Sequence, residues 1–138
     1  MTADELKFDE RGLIPAVVQA AETGEVLMVA WMDRAAVQST LDSGLTHFWS
    51  RSRQKYWKKG ETSGNRLAVV DIKTDCDDDT VLLKVKRLGD GNVCHTGQRT
   101  CFYTNIELES ANLAKDAVQP MYSHGLATIA LCEAFGLT

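Results

Sequence analysis

The sequence predicts a β-rich α+β domain: a curved or barrel-like antiparallel sheet carrying a few helices. Three observations lead there. Short apolar runs with strand composition recur from residue 13 to residue 108, with Gly-bearing or polar segments between them. One stretch in the thirties has helical spacing between two capping signals. No repeat, low-complexity stretch or linker interrupts the 138 residues, so one domain spanning 1–138 is expected.

Taken in order, LIPAVVQA (13–20) and EVLMVAWM (25–32) are β-rich runs joined by AETG, a short loop with a glycine, and they read as a hairpin. Asp33 is placed to cap a helix running to about Leu41, with Ser43-Gly44 as its stop. Ala36, Val37, Thr40 and Leu41 then share one face. LTHFWS (45–50), KYWKK (55–59), RLAVVDI (66–72), TVLLKVKRL (80–88) and CFYTNIEL (101–108) follow as short strand-like runs. The tail ATIALCEAFG (127–136) puts Ile129, Leu131, Cys132 and Phe135 at helical spacing, so Cys132 belongs to an apolar stripe. His124 has no chemical neighbours that single it out.

Composition narrows the function classes. The chain is 44% hydrophobic and 25% charged, with a formal net charge of −4, which argues against a general nucleic-acid binder. Acids at the N-terminus and the lack of an apolar run near 18 residues give no expectation of a signal peptide or membrane span. Four cysteines in such a chain point to a cytoplasmic setting with reduced thiols, where metal binding or catalysis is expected before disulfides.

The chemistry concentrates in three strings. In CHTGQRTCFY, Cys94 and Cys101 form a thiol pair, and Cys76 lies upstream in DCDDD. Three thiols are one short of a closed structural zinc site. Three protein ligands with one open position is the pattern of a catalytic zinc. The gap between Cys94 and Cys101 is wider than a zinc-ribbon knuckle, so the pair could also be two small buried thiols. His95 follows a candidate ligand and could accept a proton beside it, or merely support the site.

In the acidic string, an extended backbone over 75–79 places Asp75, Asp77 and Asp79 on one face and Cys76 on the other. Three carboxylates together repel, and a hard divalent cation such as Mg²⁺ relieves that repulsion. The competing reading is a solvated acidic turn between two strands. An EF-hand is excluded, because the sixth loop position lacks Gly and the twelfth lacks Glu.

The third string, THFWSRSRQKYWKKGETSGN (46–65), gathers Arg51, Arg53, Lys55, Lys58 and Lys59 in an otherwise acidic chain, interleaved with Trp49, Tyr56 and Trp57. Guanidinium and ammonium groups suit phosphates, and aromatic faces suit a purine. Trp49, Arg51, Arg53, Lys59, Glu61 and Ser63 are the candidate substrate contacts. A charged strand pair with cross-strand aromatics is the plainer alternative. Single-stranded nucleic acid would use similar chemistry, but one local patch on an acidic domain suits a small phosphorylated ligand better.

The strings EVLMVAWMDRAA, HFWSRSRQKYWKKGETSGN, DCDDD and CHTGQRTCFY, in this order and spacing, resemble the phosphoribosyl-AMP cyclohydrolase family of histidine biosynthesis over roughly residues 13–103. The resemblance implies a homodimer whose zinc is held by three cysteines from both subunits, matching Cys76, Cys94 and Cys101. It implies Mg²⁺ on Asp75, Asp77 and Asp79, and His95 as the catalytic base. The implied reaction is hydrolytic opening of the N1–C6 bond of the purine ring of phosphoribosyl-AMP. No fused pyrophosphohydrolase domain is expected after this one. A zinc nucleobase deaminase is disfavoured, because H-x-E and P-C-x-x-C are both missing. The alternative of another class is a non-catalytic, zinc-stabilised nucleotide-binding module.

Overall fold

A computed structural model of the chain describes residues 1–109. Two compact units divide the chain, Met1–Tyr103 and Thr104–Thr138. The first holds six strands, β1 (Ile14–Ala20), β2 (Val26–Met32), β3 (His47–Ser50), β4 (Lys55–Lys58), β5 (Leu67–Thr74) and β6 (Val81–Arg87). It also holds one α-helix, α1 (Arg34–Ser43), and a 3-10 turn at Ala3–Glu5. Residues 104–109 carry no strand or helix. The expected terminal helix, with Cys132 and the nearby His124, lies outside the described residues.

The sheet order is β4-β3-β2-β1-β6-β5. It is mixed, because β1 and β6 run parallel while the other paired strands run antiparallel. This corrects the expectation of an antiparallel sheet. Period-two patterning fixes which face of a strand is buried and is silent about the direction of its neighbour. Past β5 the sheet curls back: Leu45 bridges Ala68, the Val69 amide donates to the Gly44 carbonyl at 2.8 Å, and the Thr46 amide donates to Leu67 at 3.1 Å. The curl makes the curved, half-barrel form.

Alternation builds the core. Ile14, Ala16, Val18 and Ala20 of β1 face inward together with Val81, Leu83 and Val85 of β6, and Phe48 of β3 is fully buried. Each such Val, Leu, Ile or Phe contributes roughly 1.5–3 kcal/mol by leaving water. Pro15 falls before the β1–β6 register begins at Ala16, on a stretch of β1 with a partner on one side only. A proline is tolerated there because it interrupts no second ladder.

Both caps expected for α1 are present. The Asp33 carboxylate accepts from the Ala36 amide at 2.7 Å, and Gly44 ends the helix in the left-handed region at φ 73°. Ala36, Val37 and Thr40 are buried, whereas Leu41 is 46% exposed, one residue off the inward face. The Thr40 hydroxyl donates to the Ala36 carbonyl and accepts from the His47 amide at 3.0 Å, tying α1 to β3.

Two further expectations fail. Residues 101–108 form no strand and are exposed; among the described residues, the backbone bond at their start runs from the Cys101 amide to the Leu27 carbonyl at 2.8 Å. Residues 75–79 are a turn, not extended, with Asp78 at φ 62°.

Candidate active site

A cleft of about 960 Å³ opens at the β4 edge of the sheet. Its floor comes from β2, β3 and β4 through Trp31, Trp49, Tyr56 and Trp57. Its walls are the β4–β5 loop, with Lys59, Glu61 and Ser63, and the loop after β6, with Val93, Cys94, His95 and Gly97. Arg53, Lys55 and Lys58 line it as well. Five of the six expected substrate contacts therefore share this cleft. The sixth, Arg51, instead lies over the Trp31 ring at 4.6 Å from its centroid, with Arg11 over the same ring at 6.0 Å.

The β4–β5 loop needs glycine at its start. Gly60 has φ 78°, and a Cβ there would meet the Asn65 carbonyl carbon at 2.5 Å and the Arg66 amide at 2.6 Å. From the loop's far end, Asn65 Oδ1 accepts from the Asp90 amide at 3.1 Å. Lys59 Nζ donates to the Val93 carbonyl. The two walls are thereby joined at both ends.

The thiol loop is a tight turn. The Gly97 amide donates to the Cys94 carbonyl at 2.9 Å, and the Cys94 and Val93 amides both donate to the Gln98 carbonyl. The Thr96 hydroxyl donates to Cys94 Sγ at 3.1 Å. That bond, helped by the Thr96 backbone, the Cys101 thiol and the Lys59 charge, holds the Cys94 thiol below its ordinary range against some desolvation. Cys101 moves the other way. Desolvation of its sulfur and the adjacent Cys94 push it up, with Lys59 opposing. The two sulfurs thus form one interacting pair, shifted in opposite directions. His95 is exposed on the same turn. His47 is elsewhere: it is buried, stacked on Tyr56 at 5.5 Å between centroids, with Nδ1 donating to the Leu45 carbonyl at 2.8 Å.

Cys76 and the acidic triplet occupy the β5–β6 turn. Asp75 organises it, its carboxylate accepting from the Asp79 and Thr80 amides at 3.1 and 3.2 Å. One carboxylate oxygen from each of Asp75, Asp77 and Asp79 lies within 4.8 Å of the others, the closest set of three metal-ligating side chains among the described residues. Asp79 is pushed above the ordinary carboxylate range by its side-chain hydrogen bond with Asp77, by desolvation and by Asp75. Desolvation opposes the shift of Asp75, yet bonds from the Asp79 backbone and from the Asp79 and Asp77 side chains leave it lowered. The convergence expected from an extended strand is real, but a turn produces it.

The turn and the thiol loop flank β6 at opposite ends. The seven residues of β6 lie between them, about 23 Å at roughly 3.3 Å per residue. One chain therefore brings two thiols together and holds Cys76 apart. Soft sulfur pairs with zinc and hard carboxylate oxygen with magnesium, so both donor sets fit their expected ions in kind.

A family model described as phosphoribosyl-AMP cyclohydrolase matches residues 28–103. A phosphoribosyl-AMP cyclohydrolase of Brucella anthropi is 54% identical over 108 residues, covering 78% of this chain and 77% of its own length. One from Brucella abortus is 52% identical over 108 residues, covering 78% and 91%. The chain belongs to the phosphoribosyl-AMP cyclohydrolase family. It is an enzyme of the hydrolase class, and the alternative of a non-catalytic binding module falls. The segment matching the phosphoribosyl-AMP cyclohydrolase model contains Cys76, Cys94 and Cys101, the acidic triplet, His95 and the basic–aromatic string. Among the described residues no helix is long and apolar enough to cross a membrane.

Sequence reasoning misses one cleft residue and one partner of the thiol loop. Trp31 is absorbed into a strand pattern, although an aromatic two residues before Asp33 at a strand end is a visible signal. Thr96 stands two residues after Cys94, the spacing of a hydroxyl turn, and that could have marked it as the thiol's partner.

Proposed function

We propose that this chain hydrolyses the purine ring of phosphoribosyl-AMP in histidine biosynthesis, opening the N1–C6 bond to give the formimino-aminoimidazole carboxamide ribotide. The observation that carries the reading is that Cys94, with Cys101 beside it, and His95 line one aromatic and basic cleft. The reading takes Cys94 and Cys101 as two zinc ligands, with Cys76 from a second copy of the chain as the third. Such a site makes the enzyme a homodimer. Asp75, Asp77 and Asp79 would hold Mg²⁺ beside a substrate phosphate.

Zinc, when bound with an open position, supplies a nucleophilic water near neutral pH. The protein's own residues do the rest. Substitution at N1 leaves the purine electron-poor, so C6 is electrophilic. Trp49 offers a face for the ring, while Arg53 and Lys59 offer charge for phosphate. His95 takes a proton as oxygen adds to C6 and returns one to N1 as the N1–C6 bond breaks. The oxygen of the water stays on C6, one of its protons ends on N1 and the other is released as the cationic ring opens to a neutral carboxamide, which balances the hydrolysis.

The test is a spectrophotometric assay with phosphoribosyl-AMP, with and without a chelator, on wild type and Cys101→Ser. Turnover that is lost with the chelator and restored by zinc is expected, with zinc content and turnover both low in Cys101→Ser. No turnover with both metals present would sink the reaction. Full turnover after zinc removal would sink the zinc assignment alone.

A further inference from the structure

Cys101 sits on the thiol loop without a strand to hold it, so something else must fix where its sulfur points. β3 pairs with β2 only at Trp31, leaving the start of β2 open on that side. The loop docks along this edge. The Thr100 hydroxyl donates to the Val26 carbonyl at 2.8 Å, and the Cys101 amide donates to the Leu27 carbonyl at 2.8 Å. Immediately before these residues stands Glu25. Its Oε2 accepts from Arg99 Nη2 at 2.9 Å, and its Oε1 lies 3.9 Å from Arg87 Nη1 on β6.

This is more than an exposed ion pair, which is usually worth little. The side chains of Glu25 and Arg87 are only 26% and 19% exposed, and Arg87 Nη1 is buried with no hydrogen-bond partner among the described residues. Glu25 is thus the counter-charge to one largely covered guanidinium and the anchor of a second that sits two residues from Cys101. Without it, two cations would face each other across the docking edge.

We propose that Glu25 is a positioning residue, its carboxylate clamping Arg99 against Arg87 so that Cys101 is held beside Cys94. The inference rests on reading both cysteines as zinc ligands, and it concerns a side chain outside the cleft. Groups that orient metal ligands are typically worth about 10–100-fold in metal affinity or activity.

The test uses the reduced, metal-free, full-length protein. Each thiol is followed by iodoacetamide labelling and peptide mass mapping, with Cys76 as internal reference. In Glu25→Gln, Cys101 should label about tenfold faster relative to Cys76, and cobalt affinity, read from the thiolate-to-cobalt absorption band, should fall by about the same factor. Arg99→Met, altered at an exposed side chain, should reproduce both effects and carries the test if Glu25→Gln does not fold. Arg99→Lys, which keeps the charge, should restore most of the wild-type behaviour. kcat should fall while KM holds. Labelling and cobalt spectra that overlay wild type in both Glu25→Gln and Arg99→Met overturn the clamp, whatever the turnover. Absent wild-type turnover with the labelling changes intact would instead refute the proposed reaction and leave the clamp standing.

Discussion

The thiol loop and the acidic turn lie at the two ends of β6, and they are built on opposite principles. The acidic turn is mostly local: the Asp75 carboxylate and carbonyl gather the amides of Asp78, Asp79 and Thr80, with one outside bond from the Lys7 amide to Asp78. The thiol loop depends on distant residues, through Lys59 on Val93, Asn65 on Asp90, Glu25 on Arg99, and the β2 carbonyls on Thr100 and Cys101. A local turn keeps its shape while the hairpin beneath it stands. A tethered loop reports on the whole sheet. The oxygen site should therefore tolerate loss of global stability better than the sulfur site.

The largest expected effect tests the chemistry of the tethered loop without loosening it. His95→Ala should lower kcat by about 10²–10⁴-fold, the worth of a positioned acid–base group, with zinc content unchanged. Steady-state kinetics beside metal analysis read the two separately. A variant that keeps its rate and loses zinc makes His95 part of the metal site. Next comes Gly60→Ala. The left-handed backbone and the close Asn65 and Arg66 atoms predict about 1–3 kcal/mol of lost stability, measured by denaturant unfolding. Below the transition, Cys94 and Cys101 should label faster while Mg²⁺ dependence stays near wild type. Equal loosening of both regions would break the comparison.

Asp77→Asn should act the other way round. It removes one charge from a solvated oxygen site, so the Mg²⁺ response should weaken about tenfold while zinc content holds. If its Mg²⁺ titration overlays that of wild type, the triplet is not the magnesium site. The smallest effect is a pH split inside the thiol loop. Cys94 is lowered and Cys101 raised from a common ordinary value of 9.0, so in metal-free protein Cys94 becomes thiolate, and labels, at the lower pH. Thr96→Val removes the leading cause and should move the Cys94 onset up toward that of Cys101.

Local signals in the sequence were reliable where the cause is itself local. The hairpin of β1 and β2, the Asp33 and Gly44 caps, and β3 to β6 stand within about two residues of their expected places. What was illegible depends on partners. CFYTNIEL has the residues of a strand, yet strand propensity expresses fit to a neighbouring surface, and none of its residues pairs in a ladder. The parallel β1–β6 pair is invisible for the same reason. At the site, the convergence of the three aspartates and the gathering of the basic–aromatic string in one cleft could be read directly, because chemistry selects residue types. The Glu25 clamp could not, since Glu25 and Arg99 meet only when the sheet folds.

The β1–β6 pair also shapes how the molecule assembles in time. Ala16 meets Val81 and Ala20 meets Val85, while every other strand partner comes from a nearby stretch of chain. The first four strands with α1 can form early, and so can the β5–β6 hairpin. Joining them closes a long loop before any ladder bond rewards it, the kind of non-local step that slows folding. Until β6 emerges from the ribosome, one side of β1 stays an open, apolar edge that another chain could occupy. Among the described strands the last to be synthesised thus seals the sheet and, in the same event, carries the acidic turn and the thiol loop into place.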